Sequence, residues 1–136
     1  MAEPELEGGC LCGQLRYRIR RIHSVYWCHC TMCRRSSGSG AIPWVTVARE
    51  DFELIAGTPR AYASSPGVER RFCGACGSPI VFDMAREAQV DVTVGTLDAP
   101  DAVRPTHHIW SRSALHMTAG LGPDLPRYAA ERPAEE

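Results

Sequence analysis

Seven cysteines in a chain of 136 residues fall into two sets by their spacing. Cys10-Leu11-Cys12 and Cys73-Gly74-Ala75-Cys76 are two pairs, and Cys28-His29-Cys30-Thr31-Met32-Cys33 is a tight triplet. Four thiolates close a tetrahedral zinc site, whereas three leave one position for water or substrate, which is where zinc chemistry takes place. The spacing therefore predicts a structural zinc on Cys10, Cys12, Cys73 and Cys76, and a catalytic zinc on Cys28, Cys30 and Cys33. Residues i and i+2 of an extended segment share a face, so Cys10 and Cys12 can present both sulfurs to one metal. The Cys73–Cys76 pair reads as a metal knuckle, with glycines at 74 and 77 letting backbone amides approach the sulfurs. A metal joining the pairs would tie the N-terminal segment to the middle of the chain, a cross-link contributing on the order of 10 kcal/mol to folding. The alternative for Cys73-x-x-Cys76 is a redox dithiol.

The triplet lets a single loop supply one face of a tetrahedron. Its fourth ligand must be water, substrate or a histidine. His29 is nearest, but in an extended segment it points away from its two neighbours, which places it beside the metal rather than on it. Three thiolates and Zn²⁺ sum to a charge of −1, a weaker Lewis acid than zinc on three neutral histidines. Such a centre suits exchange of an external thiolate, or the grip of a small carbonyl, better than ionisation of water. The alternative is a second structural zinc closed by a distant histidine. Arg34, Arg35 and the hydroxyls of Ser36 and Ser37 follow directly and can hold a carboxylate-bearing substrate, or simply form a solvated loop. Of the consecutive His107 and His108, one faces inward, and His108 is read as a pocket residue or a satisfied core histidine. Asp98 reads as a turn former rather than an acid catalyst. Trp27, Trp44 and Trp110 read as core or pocket-wall aromatics.

The elements that must position these residues are short. Gln14 to Arg20 alternates, with Leu15, Tyr17 and Ile19 on one face. Further strands are predicted over 42–48, 52–56, 60–64, 68–72, 80–83, 90–94 and 108–110. Helix is expected only as one turn after Cys30 and a short piece near 111–115. Fold class is mainly β, with short antiparallel strands stapled by zinc. One domain over 8–128 is expected, with residues 1–7 and 129–136 as flexible ends.

Composition narrows the function further. All fifteen basic residues are arginine, which removes lysine Schiff-base chemistry. A formal net charge of −1 offers nothing to nucleic acid or an anionic membrane. The acidic start Met1–Glu7 does not read as a signal peptide, and no apolar run is long enough to span a membrane. A cytoplasmic location is expected, where metal thiolates are favoured over disulfides. The rival is a secreted protein with three disulfides and one free thiol.

In order along the chain, Gly9-Cys-Leu-Cys-Gly13, Cys28-His-Cys-x-x-Cys-Arg-Arg-x-Ser-Gly38, Tyr62-x-Ser-Ser65 and Arg71-Phe-Cys-Gly-x-Cys-Gly-Ser-Pro79 are followed by Val94-Gly-Thr-Leu-Asp98, Pro105-x-x-His-Ile-Trp110 and Asp124-Leu-Pro-Arg-Tyr128. This set resembles the glutathione-dependent formaldehyde-activating enzyme (CENP-V/GFA) family from Gly8 to about Tyr128. The resemblance implies an Mss4-like β-tent, two zinc ions on the four-cysteine and three-cysteine sets, and a carbon–sulfur lyase that joins formaldehyde to glutathione. Partners would be a glutathione-like thiol and a small carbonyl compound. Where similar sequences often carry an aromatic residue, this chain has Ala114-Leu-His116-Met117, which alters the expected pocket wall. Two other classes stand beside this reading: a non-enzymatic zinc-binding interaction module, and a thiol-redox protein.

Overall fold

A computed structural model describes residues 5–134. Ten strands occur among them: β1 (Leu6–Gly9), β2 (Arg16–Ile19), β3 (Ser24–Cys28), β4 (Ile42–Ala48), β5 (Phe52–Ala56), β6 (Arg60–Ser65), β7 (Val68–Phe72), β8 (Pro79–Met84), β9 (Gln89–Thr93) and β10 (His107–Ile109). The α-helix α1 (Thr31–Ser37) and several single 3-10 turns complete the set. The fold is mainly β and built from short strands, as the sequence predicts.

The chain divides into two compact units. The first comprises Met1–Ser24 and Val45–Val103, the second Val25–Trp44 and Arg104–Glu136. β4 begins in the second and ends in the first. In the first unit β1, β2 and β5 form one antiparallel sheet, with Leu6 opposite Ile19 and Gly9 opposite Arg16. β2 explains itself by alternation: Tyr17 and Ile19 are buried while Arg16 and Arg18 point outward to Glu7, Glu53 and Asp98. The remaining strands of this unit run in the order β4-β9-β8-β7-β6, with antiparallel pairs throughout the β6–β9 ladder. Its core is Tyr17, Ile19, Val45, Val47, Ile80 and Val92. Asp83, buried on β8, anchors two arginines: Arg49 by two bonds of 3.0 and 2.6 Å, and Arg71 at 2.8 Å.

The second unit orders its strands β10-β3-β4. Here the pairing departs from the antiparallel rule, because β10 runs parallel to β3, with His107 opposite Tyr26 and Ile109 opposite Cys28. Parallel strands need a long crossover, and residues 29–106 supply it. The helix after Cys30 makes two turns rather than one. It ends at Gly38, whose φ of 76° is the left-handed cap that glycine takes without strain and whose N–H closes on the Arg34 carbonyl at 2.8 Å. The expected helix near 111–115 is only a 3-10 turn over Ser111–Ser113.

Pairing also reaches into the expected flexible ends. Leu6 and Glu7 lie in β1, and the backbones of Ala129 and Ala130 accept from Arg112 and Trp110. Residues 1–4 and 135–136 lie outside the described residues. No helix among the described residues is long and apolar enough to cross a membrane.

Candidate functional site

The four paired cysteines meet at the tips of two hairpins. Cys10 follows β1 directly, and its amide donates to the Leu15 carbonyl at 3.2 Å to close the β1–β2 turn. Cys73 follows β7, and Gly77, at φ 83°, donates to the Cys73 carbonyl at 2.8 Å to form the knuckle before β8. That left-handed conformation is one glycine adopts freely. The Leu11 amide reaches the Ser78 hydroxyl at 3.0 Å, locking one tip to the other. The Sγ–Sγ separations are 3.6 Å for Cys10–Cys12 and 3.7 Å for Cys12–Cys73, and all four sulfurs lie within 4.8 Å of one another. Zinc–sulfur bonds of about 2.3 Å in a tetrahedron place sulfurs about 3.8 Å apart, so this donor set fits zinc.

Hydrogen bonds to sulfur favour the thiolate at Cys10 and Cys76, whereas at Cys12 the Gln14 amide is outweighed by desolvation and the neighbouring sulfurs, which push the thiol up to about 11. The Leu15 amide donates to Cys10 Sγ at 3.2 Å. The Ser78 hydroxyl, then the Ser78 and Cys12 amides, pull the Cys76 thiol down to about 5. Ser78 was not singled out in the sequence; its place just after the Cys-Gly-Ala-Cys-Gly knuckle was the available signal.

The triplet is assembled at the end of β3. Cys28 is the last strand residue, and the adjoining His29 amide donates to Ile109 of the parallel β10 at 3.1 Å. The backbone then turns into α1 with Cys30 as N-cap, its sulfur accepting from the Cys33 amide at 3.2 Å. A thiolate is favoured at that position by the unpaired amides of the first turn. Cys28 and Cys33 are buried with sulfurs 3.4 Å apart, Cys30 is partly exposed, and the three sulfurs lie within 4.8 Å of one another. The Cys30 and Cys33 sulfurs, followed by burial, push the Cys28 thiol far above its ordinary value. Three thiols so close cannot ionise together without a cation; a divalent ion removes that obstacle, and the set fits zinc with one position left over. All seven cysteines are free thiols.

His29 is not among the side chains whose ligand atoms gather with the three sulfurs. It turns to His108, with Nε2 2.8 Å from His108 Nδ1 and the rings stacked at 5.0 Å. His108 Nε2 lies 3.1 Å from the Gly122 carbonyl. The two residues are 1% and 0% exposed. Burial first, then His108 and Arg127 at His29, lower the His29 pKa; at His108 burial, with Arg127, outweighs the raising effect of the Gly122 carbonyl, so both rings are neutral near pH 7. Their tautomers then follow. A carbonyl only accepts, so His108 carries its proton on Nε2, its Nδ1 accepts, and His29 donates from Nε2. His29 Nδ1 is left as a bare acceptor, and it is buried without a hydrogen-bond partner. Nothing in the sequence marks Gly122 as the end of this chain.

Arg34 and Arg35 sit in the last turn of α1, half-buried and exposed respectively, with no carboxylate partner among the described residues. The serines beside them turn inward instead: Ser36 and Ser37 donate to the Cys33 carbonyl at 3.2 and 2.7 Å. Asp98 is taken up by Arg16, at 2.9 and 2.5 Å, and plays no part in either cluster. Trp44 is buried, while Trp27 and Trp110 are half-buried, Trp110 under the Arg112 guanidinium. In the departing segment, Leu115 and Thr118 face Gly40, where an added side-chain carbon would meet them at 3.4 and 3.3 Å, and Met117 is exposed.

Known proteins were compared with the chain once this geometry was established. The model of the family described as glutathione-dependent formaldehyde-activating enzyme matches residues 5–113. A Halomonas elongata protein, provisionally named a glutathione-dependent formaldehyde-activating enzyme, is 30% identical over 115 residues, spanning 76% of this chain and 72% of that protein. A crystal structure of a Rhodobacter sphaeroides protein superposes with a TM-score of 0.60 at 18% identity, over 90% of this chain and 98% of that one, a likeness of fold.

Proposed function

The chain belongs to the glutathione-dependent formaldehyde-activating enzyme family, and from that premise we propose that it is a zinc-dependent carbon–sulfur lyase acting on the adduct of a glutathione-like thiol with formaldehyde or another small carbonyl compound. The observation that carries this reading is the unequal division of the cysteines into one closed set of four and one set of three with a position to spare. In the synthetic direction a bond forms between thiol sulfur and carbonyl carbon. The carbonyl π pair moves to oxygen, and the proton lost by the thiol ends there as a hydroxyl. Lysis is the reverse.

When bound to Cys28, Cys30 and Cys33, zinc supplies a Lewis acid with one exchangeable position. The chain's own residues do the rest. Cys28 and Cys33 are held by β3 and by the first turn of α1, and Cys30 by its cap bond to the Cys33 amide, so the three sulfurs are preorganised. Arg34 and Arg35, without acidic partners among the described residues, are placed to receive the carboxylates of the thiol substrate. His29, between Cys28 and Cys30 in the chain, has its ring fixed to His108 at 2.8 Å. Proximity, rather than strong Lewis acidity, provides most of the acceleration. Cys10, Cys12, Cys73 and Cys76 hold the second zinc and serve the fold. We place the reaction in the cytoplasm, where glutathione is abundant and thiols stay reduced.

Magnetisation-exchange NMR of glutathione with formaldehyde, with and without zinc-loaded protein, tests the proposal. The expected result is faster interconversion of free and thiol-bound formaldehyde in the presence of the protein. An unchanged rate at saturating zinc would remove the activity and leave the fold assignment standing.

A further inference from the structure

We propose that Arg112, held on the ring of Trp110, is a second carboxylate-binding group for the thiol substrate, and that Trp110 is the residue positioning it. This rests on the reaction proposed above and adds to the part given there to Arg34 and Arg35: the site selects a thiol that carries more than one carboxylate. Three observations carry it. The first is placement. β3 and β10 are parallel and end together, with Cys28 opposite Ile109, and the His29 amide donates to the Ile109 carbonyl at 3.1 Å. Trp110 therefore leaves the sheet beside His29, at the end where the segment carrying the open cluster leaves it. The second is backbone strain. Trp110 has φ 57° and ψ 36°, and is the one non-glycine residue with positive φ among the described residues. A bulky side chain avoids this region unless its surroundings impose it, and such residues gather at binding sites. The C-terminal segment imposes it here. The Trp110 amide donates to the Ala130 carbonyl at 2.7 Å, and the Ser111 amide and hydroxyl donate to the Tyr128 carbonyl at 2.9 and 2.7 Å.

The third is charge. The Arg112 guanidinium lies 4.9 Å from the centre of the Trp110 ring, and it is exposed, with no carboxylate partner among the described residues. A guanidinium stacked on a ring keeps its N–H donors, which lie in its own plane and match a carboxylate by two parallel bonds. The side chain is thus ordered before the ligand arrives, which lowers the entropy lost on binding. The surrounding compact unit favours an anion as well. In it Arg34, Arg35, Arg104, Arg112, Arg127 and Arg132 stand against Asp124 and Glu131 among the described residues, and arginine stays in excess when Glu135 and Glu136 are counted. A local excess of one sign draws the opposite charge. Glutathione carries a carboxylate at each end, so the arginines of α1 and the Trp110–Arg112 stack can each take one. Arg112 binds and takes no part in bond making, so its effect falls on KM.

The test compares glutathione with 2-mercaptoethanol, an uncharged thiol, in formaldehyde exchange by the zinc-loaded protein. Arg112→Gln is expected to raise KM for glutathione about tenfold relative to 2-mercaptoethanol, the loss of a charge-assisted hydrogen bond, with KM rather than kcat carrying the change. Arg112→Lys, which keeps the charge but not the planar fork, should recover part of the loss. Trp110→Leu, which keeps Arg112 and removes its platform, should raise the glutathione KM in the same direction; an unchanged KM there would overturn the positioning role of Trp110. An unchanged glutathione KM in Arg112→Gln would overturn the inference, as would an equal rise for both thiols. Failure of the proposed reaction is read separately. Where wild type accelerates exchange of neither thiol, NMR titration of the zinc-loaded proteins with glutathione alone decides. About tenfold weaker binding by Arg112→Gln then sustains the carboxylate site, and equal or absent binding overturns it. If Trp110→Leu does not fold, the two Arg112 variants decide.

Discussion

At the scale of single residues, the two cysteine sets should respond differently to the same substitution. Cys73 is buried in the knuckle that ties two hairpins together, and a zinc link there would contribute on the order of 10 kcal/mol. Cys73→Ser is therefore expected to yield a protein without a cooperative thermal transition. Cys28→Ser should lower zinc content from two ions to about one and abolish activity, with a modest fall in Tm. Equal losses of Tm in the two variants would contradict the division of labour. The arginines offer a milder test. Charge-assisted hydrogen bonds contribute about 1.5–3 kcal/mol, so replacing Arg34 and Arg35 together by Gln should raise KM for glutathione at least about tenfold with little change in kcat. An unchanged KM would return these residues to the solvated surface. The cysteines were readable from spacing alone because ligands to one metal must be near in space whatever the fold does. The Gly122 carbonyl was not, since a backbone acceptor has no spacing rule.

At the scale of elements, period-two alternation and turn residues located most strands, and β4, β5 and β7 lie within the bounds read from the sequence. β1 and β3 were missed for physical reasons. Leu6-Glu-Gly-Gly has too little side chain to show a period, and Ser24-Val-Tyr-Trp-Cys is a continuous apolar run without alternation. The parallel pairing of β3 with β10 was likewise invisible, because strand direction is set by the tertiary path rather than by local pattern. The β7–β8 ladder carries a pH-dependent contribution. Arg49 bonds first, with Arg71 adding to it, hold the Asp83 carboxyl below its ordinary value of 3.8. A depressed folded-state pKa stabilises the fold above the unfolded value and loses that contribution as pH falls through it. Asp83→Asn is expected to cost about 2 kcal/mol at pH 7, less than a fully buried pair because Arg49 stays partly hydrated. The gap between wild type and variant in urea unfolding should narrow below about pH 5. A gap that is constant down to pH 3 would show that the ion pair is not its source.

At the scale of the whole molecule, each compact unit contains one cysteine cluster. Three thiolates with an exchangeable fourth ligand hold metal less tightly than four. Mild chelation should accordingly release zinc in two steps, the triplet first. Hydrogen exchange should then rise across residues 25–44 and 104–134 while β1, β2 and β5–β9 keep their protection. Release in one step, with protection lost everywhere together, would mean that the clusters do not act independently.

The most direct test of the central claim is exchange NMR on glutathione and formaldehyde with wild type and Cys28→Ser, each shown to retain zinc at Cys10, Cys12, Cys73 and Cys76. Acceleration by wild type and none by Cys28→Ser is the predicted result. Equal acceleration by both proteins would contradict it, because the chemistry would then not depend on the open cluster.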